Sequence, residues 1–391
     1  MKPNITELIV NHDKCIGCGV CSAICPVNVL PMSFNENGLY QPFETDGCLD
    51  KCTLCLDACP FIEENNSEYE IAKKHYASQT NIQYDKDLGF FLKSYVAYKT
   101  DELERLKSAS GGGGHWLLSE LLKTKVVDKV ITVESNKDSD KLFKFSVFNE
   151  LEELNNTRGS VYYPTELSEV LEYIKKNDGN YVITALPCYA KAIRLAQKKN
   201  NKLRKRIKYI VGLVCGQMKT KYFTEELGKI AIGTDRLSSI NYRVKQEQEP
   251  ANNFAFEIIG TDNTVGKLNR NDKPNDFWGT RMFTPNACNT CIDTFAETTD
   301  IVIMDAWLPE YVKDYRGHVL ILVRNEELEN ILLSSKDLDI REIDHKKVLR
   351  SQKGVVVNKK AVALGTKNPI LHKIIEIKLK IQKLSNNGGY S

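Results

Sequence analysis

Eight of the twelve cysteines lie between Cys15 and Cys59, in two runs of one design. The first run is Cys15-Ile-Gly-Cys18-Gly-Val-Cys21-Ser-Ala-Ile-Cys25-Pro26, a C-x2-C-x2-C-x3-C-P spacing. Three thiolates on so tight a loop each reach one iron of a four-iron cube, and Gly17 and Gly19 let the backbone wrap closely around it. The fourth cysteine leads away from that loop and reaches the neighbouring cluster. The second run, Cys48-Leu-Asp-Lys-Cys52-Thr-Leu-Cys55-Leu-Asp-Ala-Cys59-Pro60, repeats the pattern with one extra residue between its first two cysteines. By this cross-over Cys15, Cys18, Cys21 and Cys59 hold one 4Fe–4S cluster, and Cys48, Cys52, Cys55 and Cys25 hold the other. Zinc also takes four thiolates, but a duplicated run ending in Cys-Pro is not a zinc-ribbon spacing.

The run is the bacterial ferredoxin pattern, so residues 1–64 are expected to form an α+β ferredoxin-like iron–sulfur domain. Reduced thiols suit this reading. The N-terminus lacks the apolar core and cleavage site of a secretory leader, and no apolar run approaches the roughly 20 residues of a membrane helix. A cytoplasmic location with metal-ligating rather than disulfide-bonded cysteines is therefore expected. The 54 basic and 51 acidic residues leave a formal charge of +3, which argues against a nucleic-acid binder built on a broad basic field. The stretch from Lys198 to Lys208 is basic. It reads as a solvated helix end or as a docking patch for an acidic electron carrier.

Beyond a polar stretch, 65–90, read as a linker or wrap-around segment, the pattern alternates. Trp116–Lys123 is an apolar-faced helix, and Val126–Val133 is a strand. Helices near Leu167–Lys176 and Tyr189–Lys199 flank strands at Tyr181 and Tyr209. Further strands are expected at Ile301–Met304 and Val319–Val323, and a terminal helix at Asn368–Leu384. This alternation predicts an α/β domain with a mainly parallel central sheet, divided here as 91–170 and 171–365 with a helix and tail over 366–391. Cys188 and Cys215 follow the Tyr181 and Tyr209 strands, the sheet edge where α/β proteins place ligands. With Cys288 and Cys291 they make four, the number a third cluster needs; four buried structural thiols are the other reading. Ser110-Gly111-Gly112-Gly113-Gly114 before a helix offers backbone N–H groups to an anion, or is simply a flexible link.

In order along the chain, Ser110-Gly111-Gly112 with its helix and strand, Pro187-Cys188, Val211-Gly212-Leu213-Val214-Cys215, Cys288-x-x-Cys291, Glu297, Asp300 and Asp305-Ala306-Trp307 resemble one family. It is the family of coenzyme F420 (deazaflavin) hydrogenase/dehydrogenase beta subunits, often fused to a ferredoxin module. The resemblance implies FAD held by Ser110–Gly114 and a 4Fe–4S cluster on Cys188, Cys215, Cys288 and Cys291. It makes the α/β domain flavin-binding. Departures fall near the flavin segment: His115 for Thr, Gly113 and Gly114 for bulkier residues, Ser160-Val161-Tyr162 for Ser-Lys-Tyr, Thr299 for Ala and Met304 for Gly. The relatives' substrates are therefore not carried over. Bacterial members often lie among polysaccharide-synthesis genes.

The function expected is an iron–sulfur flavoprotein oxidoreductase passing electrons between a ferredoxin-type carrier and an organic small molecule. The alternative is the electron-transfer beta subunit of a larger hydrogenase/dehydrogenase complex using coenzyme F420. His115 and Tyr162 are the candidate proton donors or flavin contacts, with Tyr163 similar. Arg281 is a candidate to offset cluster or phosphate charge, and Trp307 reads as core.

Overall fold

A computed structural model describes residues 4–136 and 140–367. The N-terminal module builds each cysteine run as a loop followed by a short helix, Val20–Ile24 and Leu54–Asp57, with an antiparallel hairpin Met32–Phe34/Tyr40–Pro42 between them. Gly17 and Gly19 have φ of +74° and +76°, and a Cβ on Gly17 would lie 2.4 Å from the Tyr40 carbonyl oxygen. The first loop thus needs glycine for conformation and for space.

The stretch 65–90 is ordered structure, not bare connection. Ser67 and Glu70 form a reciprocal capping box that starts the helix Glu68–Tyr76. Its buried Ile71, Ala72 and Tyr76 face inward, and a small hairpin, Gln83–Asp85/Gly89–Phe91, follows. The Tyr76 hydroxyl reaches Asp300 at 3.2 Å, and Asp300 pairs with buried Arg194 at 2.9 Å.

The centre is an eight-stranded mixed sheet. Its order is Leu338–Glu342, Lys93–Lys99, Val319–Val323, Ile301–Asp305, Ile207–Leu213, Tyr181–Ala185, Lys129–Ser135, Phe143–Phe148. The four strands from Ile301 to Lys129 in that order are parallel neighbours, and antiparallel strands close both sides. Segments 91–170 and 171–365 therefore share one sheet, since Lys93–Lys99 sits between two strands of the later segment. Tyr181–Ala185 and Val319–Val323 are buried at every residue, as strands covered on both faces must be. On one face lies the helix Gly113–Lys123, with Trp116, Leu117 and Leu121 inward. On the other lie Ser168–Lys176 and Pro187–Lys199. A separate antiparallel sheet, Leu237–Val244, Ala255–Gly260 and Val265–Asn269, packs its apolar side on Phe143 and Tyr163.

The N-terminal module is joined to this core by continuous packing. Ile16, Val20, Ala23 and Ile24 share one apolar cluster with Leu171, Ile174 and Tyr189. The Leu167 N–H donates to the Cys18 carbonyl at 3.0 Å. The expected helix Asn368–Leu384 lies outside the described residues. Among the described residues no helix is long and apolar enough to cross a membrane.

Candidate functional site

The strand ends create the site. Strands from Lys129, Tyr181, Ile207 and Ile301 point the same way, and their C-terminal ends border a mostly apolar cavity of about 320 Å³. Ligand sites gather at this edge in open α/β sheets. Thr184, Leu213 and Ile303 come from the strand ends, and Tyr162 and Trp278 close the far side.

The glycine run lines the opposite wall. Ser110 and Gly112 are left-handed, with φ of +51° and +81°. A Cβ on Gly111 would meet the Ala97 carbonyl oxygen at 2.7 Å and Val319 N at 3.0 Å, both backbone. The loop is fixed from beneath. Lys245 Nζ donates to the carbonyls of Arg105, Ser110 and Arg316, and burial, then Arg105 and Arg243, pushes its pKa to about 7. Asp305 accepts a two-pronged bond from Arg243, at 2.8 and 2.9 Å, and one from the Ser110 hydroxyl. A run read as either an anion loop or a flexible link is thus a rigid turn.

Arg158 lies where this cavity opens into a second, more polar cleft of about 580 Å³ that also includes Glu134, Asn241 and Glu257. One guanidinium nitrogen pairs with Glu104 at 2.7 Å; its Nε and Nη1 are buried without a hydrogen-bond partner. Buried donors left unpaired are costly, and an anion supplied by a ligand would satisfy both. An apolar slot, a glycine loop at a helix N-terminus and a guanidinium with two free donors suit a flat ring system carrying phosphate.

The two candidate proton donors both border the cavity. His115 Nε2 lies 3.1 Å from the Leu154 carbonyl, so Nε2 carries the proton and Nδ1 faces Lys99 and Ser119. Burial, then Lys99 and Arg158, lowers its pKa to about 4. The imidazole is neutral near pH 7, and its one N–H is already engaged, which argues against its expected role as proton donor. Burial likewise raises the Tyr162 pKa, against the pull of Arg243. Its ring lies edge-on to Trp278 at 5.1 Å. Tyr163 is buried among Phe34 and Phe143. Arg281 lies away from the cavity, against Cys288 and Asn289. Trp307 packs near Arg243, 5.4 Å from its guanidinium carbon.

None of the twelve cysteines forms a disulfide, and the two runs approach each other. Burial pushes the Cys59 thiol up to about 12, and Cys15 adds to it across the two runs. Burial and Glu44 raise Cys48, and Cys25 of the first run adds to that. Elsewhere in the fold, burial followed by Cys291, Cys215 and Cys288 pushes Cys188 well up, so those four form one group. Cys18 of the N-terminal module is also close enough to act on Cys188. The Met218 N–H points at Cys288 Sγ, at 3.4 Å. Among the described residues no three His, Cys, Asp or Glu side chains are arranged to hold a single metal ion. Cys215 belongs both to the four-cysteine group and to the cavity wall.

A two-run cysteine module packed on an α/β domain, with four more cysteines of which Cys215 lines a cavity, defines an iron–sulfur protein of the oxidoreductase class. The models of the coenzyme F420 hydrogenase/dehydrogenase beta subunit match residues 94–172 with the N-terminal part and 178–346 with the C-terminal part; a 4Fe–4S binding domain matches 8–30. The chain belongs to the family of coenzyme F420 hydrogenase/dehydrogenase beta subunits, joined to a 4Fe–4S module. It is 21% identical over 346 residues to one of the F(420)H(2) dehydrogenase subunits of Methanosarcina mazei, covering 84% of this chain and 87% of that one. It is 22% identical over 371 residues to the coenzyme F420-dependent sulfite reductase of Methanocaldococcus jannaschii, covering 88% of this chain but 50% of that one. A chain of the F420-reducing [NiFe] hydrogenase complex from Methanosarcina barkeri shares the fold. Its TM-score is 0.54 at 16% identity, over 71% of this chain and 93% of that one.

Proposed function

We propose that the chain is an electron-transfer beta subunit that carries electrons between a one-electron carrier and a two-electron organic partner. The carrying observation is that Cys215 stands in both the four-cysteine group and the cavity wall. Cys48 is exposed at the outer end of the N-terminal module, so the cluster on Cys25, Cys48, Cys52 and Cys55 is the entry point. The cluster on Cys15, Cys18, Cys21 and Cys59 comes next, and Cys18 leads to Cys188. FAD would be held by Arg158 and the Ser110–Gly114 loop at its phosphates and by the apolar strand ends at its ring. A bound flavin supplies the exchange between one- and two-electron chemistry. The protein residues hold the ring, exclude water and keep Cys215 beside it.

The likeness to dehydrogenase and hydrogenase subunits favours service within a larger assembly, with coenzyme F420 as the two-electron partner. A free-standing reductase is the second reading. The open cleft with Glu134, Asn241 and Glu257 favours it, because a small polar acceptor would have room beside the cavity. On either reading a ferredoxin-type carrier docks at the N-terminal module. The basic stretch borders that module, with Lys199 paired to Asp57 at 3.0 Å, but several of its charges are satisfied internally: Arg206 pairs with Asp178 and Lys208 with Glu327.

The test is iron, sulfide and flavin content of anaerobically purified protein. About twelve irons and one flavin are expected, falling by about four irons in Cys188→Ala and Cys291→Ala. Arg158→Gln should lose flavin and keep iron. About eight irons with no flavin would overturn the relay. Reduction by the reduced F420 coenzyme without any other subunit would separate the free-standing enzyme from the component of a complex.

A further inference from the structure

Two buried basic side chains that do not line the cavity stand beside Cys215, Cys288 and Cys291. Lys359, 3% exposed, comes from the helix His345–Lys367. Its Nζ donates to the Cys215 carbonyl at 3.0 Å and to the Asp293 carbonyl. Arg281, 9% exposed, donates to Asn289 Oδ1 at 3.1 and 3.2 Å, to Asn358 Oδ1 at 3.2 Å and to the Cys288 carbonyl at 3.4 Å. Every one of these acceptors is neutral. Among the described residues neither cation makes an ion pair with a carboxylate. Asp293 also stands near Lys359, and one of its carboxylate oxygens accepts from the Glu297 N–H at 3.0 Å.

A buried cation among neutral groups is unfavourable unless an anion stands beside it. Three of the four cysteines stand beside these two, with Asp293 next to Lys359. Lys359 Nζ is held 3.0 Å from the Cys215 carbonyl and Arg281 Nη2 3.4 Å from the Cys288 carbonyl, so the backbone of the cysteines themselves fixes both cations beside the group.

We propose that Lys359 and Arg281 are built-in counter-cations of the third 4Fe–4S cluster and raise its reduction potential. This rests on the reading that those four cysteines hold a cluster. The reduced cluster carries one more negative charge than the oxidised one, so a fixed cation beside it stabilises the reduced form more. One electron leaves the cluster on Cys15, Cys18, Cys21 and Cys59, which is oxidised, and enters the third cluster, which is reduced. No bond is made or broken and no proton moves. The ultimate donor is a reduced ferredoxin-type carrier. Electrons therefore come to rest next to Cys215 and the cavity. Lys359 and Arg281 act through the cluster, as positioning charges.

The experiment is an EPR-monitored redox titration of the full chain and of Lys359→Met, Lys359→Arg, Arg281→Gln and Arg281→Lys, each with its iron content. Twelve irons in the unmodified protein establish the third cluster separately; eight would sink that reading and not the charge argument alone. With the cluster present, each neutral variant should weaken electron transfer to it about tenfold, a fall of about 59 mV for one electron. The N-terminal clusters should keep their potentials, and the charge-conserving variants should stay near the original value. Loss of the third cluster from the neutral variants alone would equally support a counter-charge. Unchanged potentials in both neutral variants would overturn the proposal, as would equal falls, or equal cluster loss, in neutral and charge-conserving variants.

Discussion

Asp305 shows how much one side chain holds at the cavity. Its carboxylate takes both prongs of Arg243 and the Ser110 hydroxyl, while its carbonyl takes Ser351 and Gln352. Arg243 is 8% exposed at its side chain, so removing its partner's charge leaves a buried cation uncompensated. Asp305→Asn should cost about 3 kcal/mol, read as a lower urea midpoint. It should also loosen flavin, because Ser110 begins the glycine loop. A variant as stable as the original would show that Arg243 has another anion. The cysteines and the glycine run were legible in the sequence because their chemistry demands those residue types at those spacings. Arg158, Arg243 and Lys245 were not. Arg158 stands alone and Arg243-Val244-Lys245 reads as ordinary surface charge at a strand end, and nothing local marks any of them as turned inward. His115 was legible as a neighbour of the loop, but only the fold shows Nε2 engaged by Leu154 and the ring among cations.

Among the elements, the buried strands were the easiest to read. Tyr181–Ala185 and Val319–Val323 are short apolar runs, which a central strand covered on both faces requires. The helix beginning at Pro187 starts earlier than the expected Tyr189, with proline at its first position, and places Cys188 in its first turn. The helix His345–Lys367 was missed. Its Val355-Val356-Val357 run reads as strand, and packing on Leu320, Met304 and neighbouring residues overrides that preference. The glycine loop works as an element wedged between the Lys93 and Val319 strands. At Gly111 a methyl group would meet only backbone: Ala97 O at 2.7 Å, Val319 N at 3.0 Å and His318 Cα at 3.1 Å. None of these swings aside as a side chain would. Gly111→Ala should therefore displace the loop and cost roughly 1–3 kcal/mol in thermal or urea unfolding, with flavin lost first. An unchanged melting temperature with full flavin would mean the sheet edge gives way more easily than its pairing implies.

For the molecule as a whole, the two recognisable modules are one packed unit, and acid should expose how they share stability. His115 stands beside the glycine loop and His318 beside Arg105, at opposite ends of that loop's support. Both imidazoles are partly buried. Burial, then Lys99 and Arg158 for the one and Arg105 for the other, lowers each pKa from 6.5 to about 4. Between those values the unfolded chain carries protons on these rings that the folded chain refuses. The unfolded state binds more protons, so stability rises with pH there, and it declines as pH falls from 6.5 toward 4. Above 6.5 both states are neutral at these positions and the contribution is flat. Acid also attacks iron–sulfur clusters, so the informative quantity is a difference between proteins under identical conditions. His115→Gln and His318→Gln should each flatten the dependence of the urea midpoint on pH between 7 and 5, and the double variant should flatten it further. Lys99, Arg158 and Arg105 remain in place in those variants, so the change reports the imidazole protons alone. Slopes identical to that of the unmodified chain would mean that both rings reach water readily enough to titrate as they do in the unfolded state.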